Sequence, residues 1–343
     1  MKKLLVLLLT GLLTIGAFAM TACGGTEQIT IYTGGTGGTY YAFTNGLQTQ
    51  LAKKTGYTYT VVGDTGGSVA NLKAMNAGDC KMAIVQNDTM VNAYNGLTNN
   101  FESGAITNFS VIGEVYPEVI QIVTDDANIK SLADLKGSNK SVSIGDVGSG
   151  VEANAVALLK KYGVDITYDD VNKKYTSTDI TIQNLSVAKS AEAMKDNKLS
   201  VFFFTSGAPA TSITEIALAK TVYMLGLSDE VMNSFIADNK IDGKYDVYSK
   251  QPITNAQYSF IPTDAPIYTI GVSATYIAAN SLSEEVVYNI TKALWESKGS
   301  IGHAVESTMD TDYALVTIGN VPVHKGAAKY YKELGYTVEN IAK

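Results

Sequence analysis

The chain has 343 residues, which is enough for about two domains. Its 26 basic residues are all lysines, and with 33 acidic residues the net charge is −7, which argues against a nucleic-acid partner. The absence of arginine removes the usual bidentate clamp for carboxylate or phosphate, so an anionic ligand must be held by backbone amides, hydroxyls or lysine.

The N-terminal segment has the pattern of a bacterial lipoprotein signal. Lys2 and Lys3 precede a long apolar run, which is followed by the motif MTACGG containing Cys23. We therefore predict a signal peptide at 1–22, lipidation of Cys23 and a short tether at 23–27. The protein would then be exported and held by its lipid on the outer face of the cytoplasmic membrane, in an extracellular or periplasmic location. An uncleaved membrane anchor is the alternative.

Strand-like and helix-like runs alternate in the first half of the mature chain. This order predicts a parallel sheet covered by helices. The runs are strands at 28–32, 57–62 and 82–86 and helices at 40–54, 68–76 and 88–95.

The same alternation starts again after about residue 116, which predicts a second α/β unit. An amphipathic helix with acidic residues in its first turn closes the pattern. The strands of this part are predicted at 119–124, 141–146, 201–205, 222–225 and 267–277, and the helices at 131–137, 152–162, 190–200, 211–220 and 283–297.

Three glycine-rich turns each connect a strand to a helix: TGGTGGTYY (33–41), GDTGGSVANL (63–72) and GDVGSGVEAN (145–154). A helix N-terminus carries unpaired N–H donors and a partial positive charge, and glycine lets a ligand approach those donors. Three such turns at the carboxyl ends of strands predict one shared anion-binding cleft. Ordinary capping of the helices by Thr39, Ser68 and Ser149 is the alternative.

Catalytic and metal-binding patterns find little support. GSGVEA fits the dinucleotide pattern, but it lies in the middle of an exported chain. His303 and His324 have no Ser or Cys partner by pattern, and two isolated histidines make no metal site. We interpret Cys80 as a buried small residue. The sequence thus predicts a protein that is not an enzyme and that uses no cofactor and no metal.

Several segments together resemble the TAXI family of solute receptors, which serve TRAP-type secondary transporters. They are TGGTGGTYY, TGGSVANLKAMNAGDCKMAIVQND, YPEVIQIV, IKSLADLKG, VSIGDVGSGVEANA, FFFTSGAPATSITEIA and VPVHKGAAKYYKELG. The resemblance implies an α/β fold of the type II periplasmic-binding-protein kind, with a ligand cleft between two lobes. Lobe 1 is expected at 28–115 and 278–343, and lobe 2 at 116–277.

The same resemblance implies a receptor that delivers a small carboxylated solute, either a glutamate-like amino acid or a dicarboxylate, to a TRAP permease. An ammonium group on the solute would require Asp88, Glu152 or a tyrosine face. The residues expected to bind the solute are Thr36, Gly37, Gly38, Thr39, Tyr40, Thr65, Gly66, Gly67, Ser68, Asn71, Gln86, Asn87, Asp88, Ser149, Gly150, Val151, Glu152, Ser206, Gly207 and Ala208.

Two other functions remain open at this point. The protein could be the binding component of an ABC importer or of a sensor system. A neighbouring TRAP permease gene would distinguish these from a receptor of a TRAP transporter. It could also be an exported α/β enzyme, which would turn over a small substrate rather than only bind it.

Overall fold

A computed structural model describes residues 27–97, 99–101 and 104–343. The predicted signal peptide, Cys23 and most of the tether lie outside the described residues. None of the helices in the described ranges combines the length and apolar character that crossing a membrane requires.

The described residues form twelve strands and nine α-helices. The strands are β1 (Gln28–Tyr32), β2 (Thr58–Val62), β3 (Met82–Gln86), β4 (Phe109–Thr124), β5 (Ser141–Ser143), β6 (Thr167–Asp169), β7 (Lys174–Thr176), β8 (Thr181–Gln183), β9 (Val201–Ser206), β10 (Tyr223–Met224), β11 (Ser249–Ile253) and β12 (Ile267–Ala279). The helices are α1 (Thr39–Thr55), α2 (Ser68–Ala77), α3 (Asn87–Asn95), α4 (Gly150–Lys161), α5 (Val187–Lys195), α6 (Thr211–Ala219), α7 (Asp229–Asp238), α8 (Glu284–Trp295) and α9 (Lys325–Glu333). Short 3₁₀ helices lie at Asn99–Phe101, Leu132–Leu135, Ala304–Thr308 and Thr311–Tyr313.

Ten strands form one sheet, in the order β2-β1-β3-β12-β4-β9-β5-β8, with β10 paired to β4 and β11 paired to β12. The predicted parallel sheet is confirmed for β1, β2 and β3, but the complete sheet is mixed. β1 pairs in parallel with β2 and β3, and β5 does so with β8 and β9, but β12 runs antiparallel to both β3 and β4. The sheet is mixed because two long strands, β4 and β12, cross between its two parallel parts.

Most predicted elements are confirmed, with ends that shift by a few residues, but β4 is much longer than predicted. Its first part contains Pro117 and the acidic residues Glu114 and Glu118, which disfavour a strand prediction. The short strands β6, β7, β8 and β11 and the helix α7 were not predicted, because their sequences are polar or too short to show a clear period.

The hydrophobic core divides within the two long strands. One group of buried side chains comes from 29–116 and 274–338, together with Ile241 and Val247. Two further groups come from 119–270. β4 and β12 are therefore shared by both parts of the molecule, and a cleft lies where the parts face each other.

Candidate functional site

A cavity of about 80 Å³ lies in this cleft. It is bordered by the N-termini of α1, α2 and α4, by the carboxyl ends of β3 and β9, and by the middle of β4. Its lining residues are Gly34, Gly35, Gly38, Thr39, Tyr40, Gly66, Gly67, Ser68, Gln86, Glu118, Gly145, Asp146, Ser149, Gly150, Val151, Leu185, Val187, Phe202, Phe203, Phe204, Thr205 and Ser206.

The helices α1 and α2 begin at this cavity without side-chain caps. Their N-cap residues are Gly38 and Gly67, no side chain accepts a hydrogen bond there, and neither first turn carries an acidic residue. Gly67 has φ +89°, a conformation that favours glycine. The first-turn amides of both helices therefore remain available to an anion.

The capping alternative holds for α4 alone among these three helices. The Ser149 hydroxyl accepts a hydrogen bond from the Glu152 amide at 3.1 Å, whereas Thr39 and Ser68 are already the first helical residues of α1 and α2. The Ser68 hydroxyl instead accepts a hydrogen bond from the Gln86 amide at 3.0 Å and thereby fixes the end of β3 beside α2.

The cavity brings together part of the set predicted to bind the solute, and the rest lies around it. The predicted residues that line the cavity are Gly38, Thr39, Tyr40, Gly66, Gly67, Ser68, Gln86, Ser149, Gly150, Val151 and Ser206. The predicted residues that do not line it are Thr36, Gly37, Thr65, Asn71, Asn87, Asp88, Glu152, Gly207 and Ala208.

Several residues of the second group stabilise the loops instead. The Thr36 amide donates to Asp64 Oδ1 at 2.9 Å, and the Thr65 hydroxyl donates to the Thr33 carbonyl at 2.8 Å. Asn71 Nδ2 donates to the same carbonyl and to that of Ile84. These hydrogen bonds stabilise the glycine-rich turns without contributing side chains to the cavity lining.

Asn87 and Gly207 have comparable structural roles at other borders of the cleft. Asn87 Nδ2 donates to the Val247 carbonyl at 3.0 Å, and its Oδ1 accepts from the Ser273 amide at 2.8 Å. Gly207 lies so close to Val305 that an added methyl group would come within 2.4 Å of Cγ1 of that side chain.

The carboxylates of Asp88 and Glu152, which we expected to contact an ammonium group, are engaged by the protein itself. Asp88 Oδ2 accepts from Asn154 Nδ2 at 3.0 Å and from Tyr248 Oη at 2.8 Å, and burial raises the pKa of Asp88. Glu152 accepts from the Gly148 amide and from Asn184 Nδ2, each at 2.8 Å.

Glu118 and Asp146 are the charged side chains of the lining that the prediction missed. Glu118 projects from β4 and is only 2% exposed, and burial raises its pKa to about 8. Tyr40 Oη donates a hydrogen bond to its Oε2 at 2.5 Å. Burial also raises the pKa of Asp146, while Lys189 opposes this shift. No local sequence pattern pointed to Glu118, since this residue lies just before the strand predicted at 119–124.

An aromatic and aliphatic wall completes the cavity. Phe202, Phe203 and Phe204 of β9 belong to a run that was predicted as a buried strand but not as part of a site. The other apolar members of this wall are Val151, Leu185 and Val187.

A buried polar network joins the two parts of the molecule beside the cavity. Asn154 of α4 donates to Asp88, and its Oδ1 accepts from Gln86 Nε2 at 3.1 Å and from the Thr205 hydroxyl at 3.0 Å. Gln86 Oε1 is buried and has no hydrogen-bond partner among the described residues. Such an atom at the wall of a cavity is costly unless a ligand or water contacts it.

The two sides of the cleft also touch directly. A methyl group added at Gly150 would lie 1.3 Å from Gln86 Oε1, and one added at Gly67 would lie 3.4 Å from Cβ of Ser149. A methyl group added at Gly37 would lie 3.4 Å from Cγ1 of Val187. These contacts show that the cleft is nearly closed.

A larger cavity of about 400 Å³ lies elsewhere, between β4, β11 and residues 308–317. It contains Glu114 but none of the glycine-rich turns. We assign the site to the smaller cavity because three helix N-termini and the ends of several strands converge there.

The remaining candidates of the sequence analysis have structural positions. Cys80 is buried, as predicted, and has no disulfide partner among the described residues, and burial raises the pKa of its thiol to about 12. His324 Nδ1 accepts from the Gly326 amide, and His303 Nδ1 accepts from the Val305 amide, so both cap helix starts. The described ranges contain no group of three or more His, Cys, Asp or Glu residues arranged to hold a metal.

Solved structures with the same architecture define the fold class. MatC from Rhodopseudomonas palustris with bound malate matches with a TM-score of 0.55 at 12% identity, covering 84% of this chain and 90% of that one. The periplasmic binding protein BugD matches with a TM-score of 0.54 at 13% identity, covering 91% and 95%. A protein from Bordetella bronchiseptica RB50 matches with a TM-score of 0.52 at 11% identity, covering 93% and 85%. The fold is that of the two-lobed periplasmic binding proteins, as predicted.

The family follows from the sequence itself. Residues 31–335 match the model of the NMT1-like family, which spans nearly all of the described chain. The protein belongs to the NMT1-like family.

Proposed function

We propose that the protein is an extracytoplasmic receptor of the TAXI type, which binds a small carboxylated solute and delivers it to a TRAP-type secondary transporter. The observation that carries this proposal is the convergence of the uncapped starts of α1 and α2 with the start of α4 on one cavity. Backbone amides at these ends supply the anion site that a chain without arginine needs.

The near-closed cleft supports a binding mechanism based on lobe closure. We propose lobe 1 at 28–115 and 278–343 and lobe 2 at 116–277, and the division of the core within β4 and β12 supports these bounds. A solute between the lobes contacts both sides only in the closed form, so it stabilises that form. The closed form would then dock on the permease.

The structural matches favour a receptor over an enzyme. BugD is a periplasmic binding protein, and MatC was solved with malate, a small dicarboxylate. The binding component of an ABC importer remains the second candidate. Solute uptake by membrane vesicles that contain the matching permease separates the two, since a TRAP system works without ATP.

The binding site itself can be tested at Gly38, the N-cap of α1. Its φ of −100° and ψ of 162° suit residues other than glycine, and a Cβ there would lie 3.1 Å from the Gly35 carbonyl oxygen, a tight contact that both variants below share. We expect Gly38→Asp to cap α1 and to repel a bound carboxylate, whereas Gly38→Asn has the same size and capping ability without the charge. In calorimetric titrations with glutamate, malate and related acids, Gly38→Asp should lose at least about tenfold more affinity than Gly38→Asn.

Wild-type protein at a ligand concentration of 100 times Kd should gain about 2.7 kcal/mol of stability. Equal affinities of the two Gly38 variants would show that the solute carboxylate does not bind at the start of α1. Turnover of a bound acid in place of stable binding would favour an enzyme.

We also propose that a lipid on Cys23 holds the receptor at the membrane. Growth with a labelled fatty acid should label the wild type but not a Cys23→Ser variant. A wild type that stays in the membrane fraction without this label would favour an uncleaved apolar anchor instead.

A further inference from the structure

The cavity has an unbalanced set of charges. Among its lining residues, Glu118 and Asp146 are the side chains that ionise as acids near neutral pH, and none is a lysine. A ligand that carried only negative charge would therefore meet two carboxyl groups and no cationic side chain. The helix N-termini offset part of the repulsion between such a ligand and these carboxyl groups. They are located at the glycine-rich turns, however, and not on β4.

Glu118 is the better placed of the two carboxyl groups. Its Oε2 accepts from Tyr40, while its Oε1 receives no hydrogen bond from the described residues. Neither Glu118 nor Asp146 forms an ion pair with a lysine of the described chain. A buried carboxylate without a cation is unfavourable, so its charged form requires a partner from outside.

We propose that Glu118 binds the ammonium group of the solute, so that the solute is an α-amino acid and not a carboxylic acid without an amino group. This inference rests on the proposed receptor function and narrows its substrate class. The solute carboxylate lies at the starts of α1 and α2, and its ammonium group faces β4. Tyr40 connects the two subsites, because it belongs to the first turn of α1 and its hydroxyl holds Glu118 in place.

The wall of Phe202, Leu185 and Val187 gives the rest of the solute an apolar environment. This wall leaves the charged groups of the solute to the helix starts and to Glu118.

The proposal has a consequence for pH. The titratable groups around Glu118 are Tyr40 of α1, Tyr116 of the same strand and Asp88 at the start of α3, and Asp146 is the other acidic residue of the cavity lining. All are neutral or acidic, so the empty site favours protonated Glu118 below its pKa of about 8. An arriving ammonium group would displace this proton, and amino-acid affinity should rise with pH, by up to about tenfold per unit between pH 6 and 8.

The test compares amino acids with their deaminated analogues by calorimetry: L-glutamate with glutarate, and L-leucine with 4-methylpentanoate. In the wild type, the better amino acid should bind at least about tenfold more tightly than its analogue. Glu118→Gln should remove this preference while leaving the affinity for the analogue within about threefold. The matched control is Glu114→Gln, which alters another buried glutamate of β4 outside this cavity and should keep the preference.

Each outcome decides the proposal. Tight binding of glutarate with an affinity that falls as pH rises would overturn the ammonium assignment but leave the receptor function intact. An amino-acid preference that survives in Glu118→Gln would overturn it as well. If the wild-type protein binds none of these amino acids, none of their analogues and no other small acid at millimolar concentration, the receptor proposal itself fails.

Discussion

Glu114 shows at the scale of one residue how burial of a carboxyl group makes stability depend on pH. It lies on β4, and its oxygens accept hydrogen bonds from the Thr317 amide at 2.9 Å and from the Thr317 hydroxyl. These bonds favour the charged form, but desolvation outweighs them and raises the pKa of Glu114 from 4.5 to about 7. The folded protein therefore holds this proton more tightly than the unfolded chain does.

We expect the free energy of unfolding to fall as pH rises from about 4.5 to 7, because the stabilising proton is lost across this window. This pKa difference between the folded and unfolded states corresponds to about 3 kcal/mol in the free energy of unfolding from Glu114 alone. The measurement is urea unfolding at pH 5 and pH 8. Glu114→Gln, which cannot ionise, should reduce the change between the two pH values, and a variant with the wild-type slope would contradict the assignment.

At the scale of elements, the starts of the helices were more predictable than the strand between them. The glycine-rich turns before α1, α2 and α4 are short-range patterns, so the sequence alone indicated the residues at three corners of the cavity. Glu118 lies on a strand whose pairing with β12 depends on residues more than 150 positions away. Its place beside Tyr40 is a long-range contact that no local pattern contains.

The same limit applies to Asp88 and Glu152. Sequence position placed them next to the turns, but their orientation depends on hydrogen bonds with Asn154, Tyr248 and Asn184. The antiparallel direction of β12 was not predicted for a related reason, since it follows from the route of the chain between the two parts of the molecule.

Asn154 of α4 allows a test of how closure depends on contacts between elements. We expect Asn154→Asp to place a second carboxyl group next to that of Asp88 and so to disfavour the closed form. Small-angle X-ray scattering should show a larger radius of gyration than in the wild type, and solute affinity should fall about tenfold or more.

The control is Asn128→Asp, which creates a similar pair with Asp126 on an exposed loop. It should match the wild type in both measurements. An Asn154→Asp protein with wild-type dimensions and affinity would show that this network does not control closure.

At the scale of the whole molecule, β12 determines when the sheet can form. This strand lies between β3 and β4, so it joins the two parts of the sheet that precede it in the chain. We expect a fragment of residues 27–266 to lack a cooperative unfolding transition, because its core would lose β12, α8 and α9. Circular dichroism melting of this fragment beside residues 27–343 provides the test, and a sharp transition in the fragment would contradict it.

Because β12 lies late in the chain, the sheet cannot be completed until late in protein synthesis. The ribosome makes residues 27–266 before the central strand exists, so the growing chain stays loosely organised until nearly its last segment has emerged. A polypeptide in that condition can still be threaded through a narrow channel, as export of the proposed receptor would require. Strand order in the finished sheet thus delays complete folding until β12, which begins at residue 267 of 343, has been made.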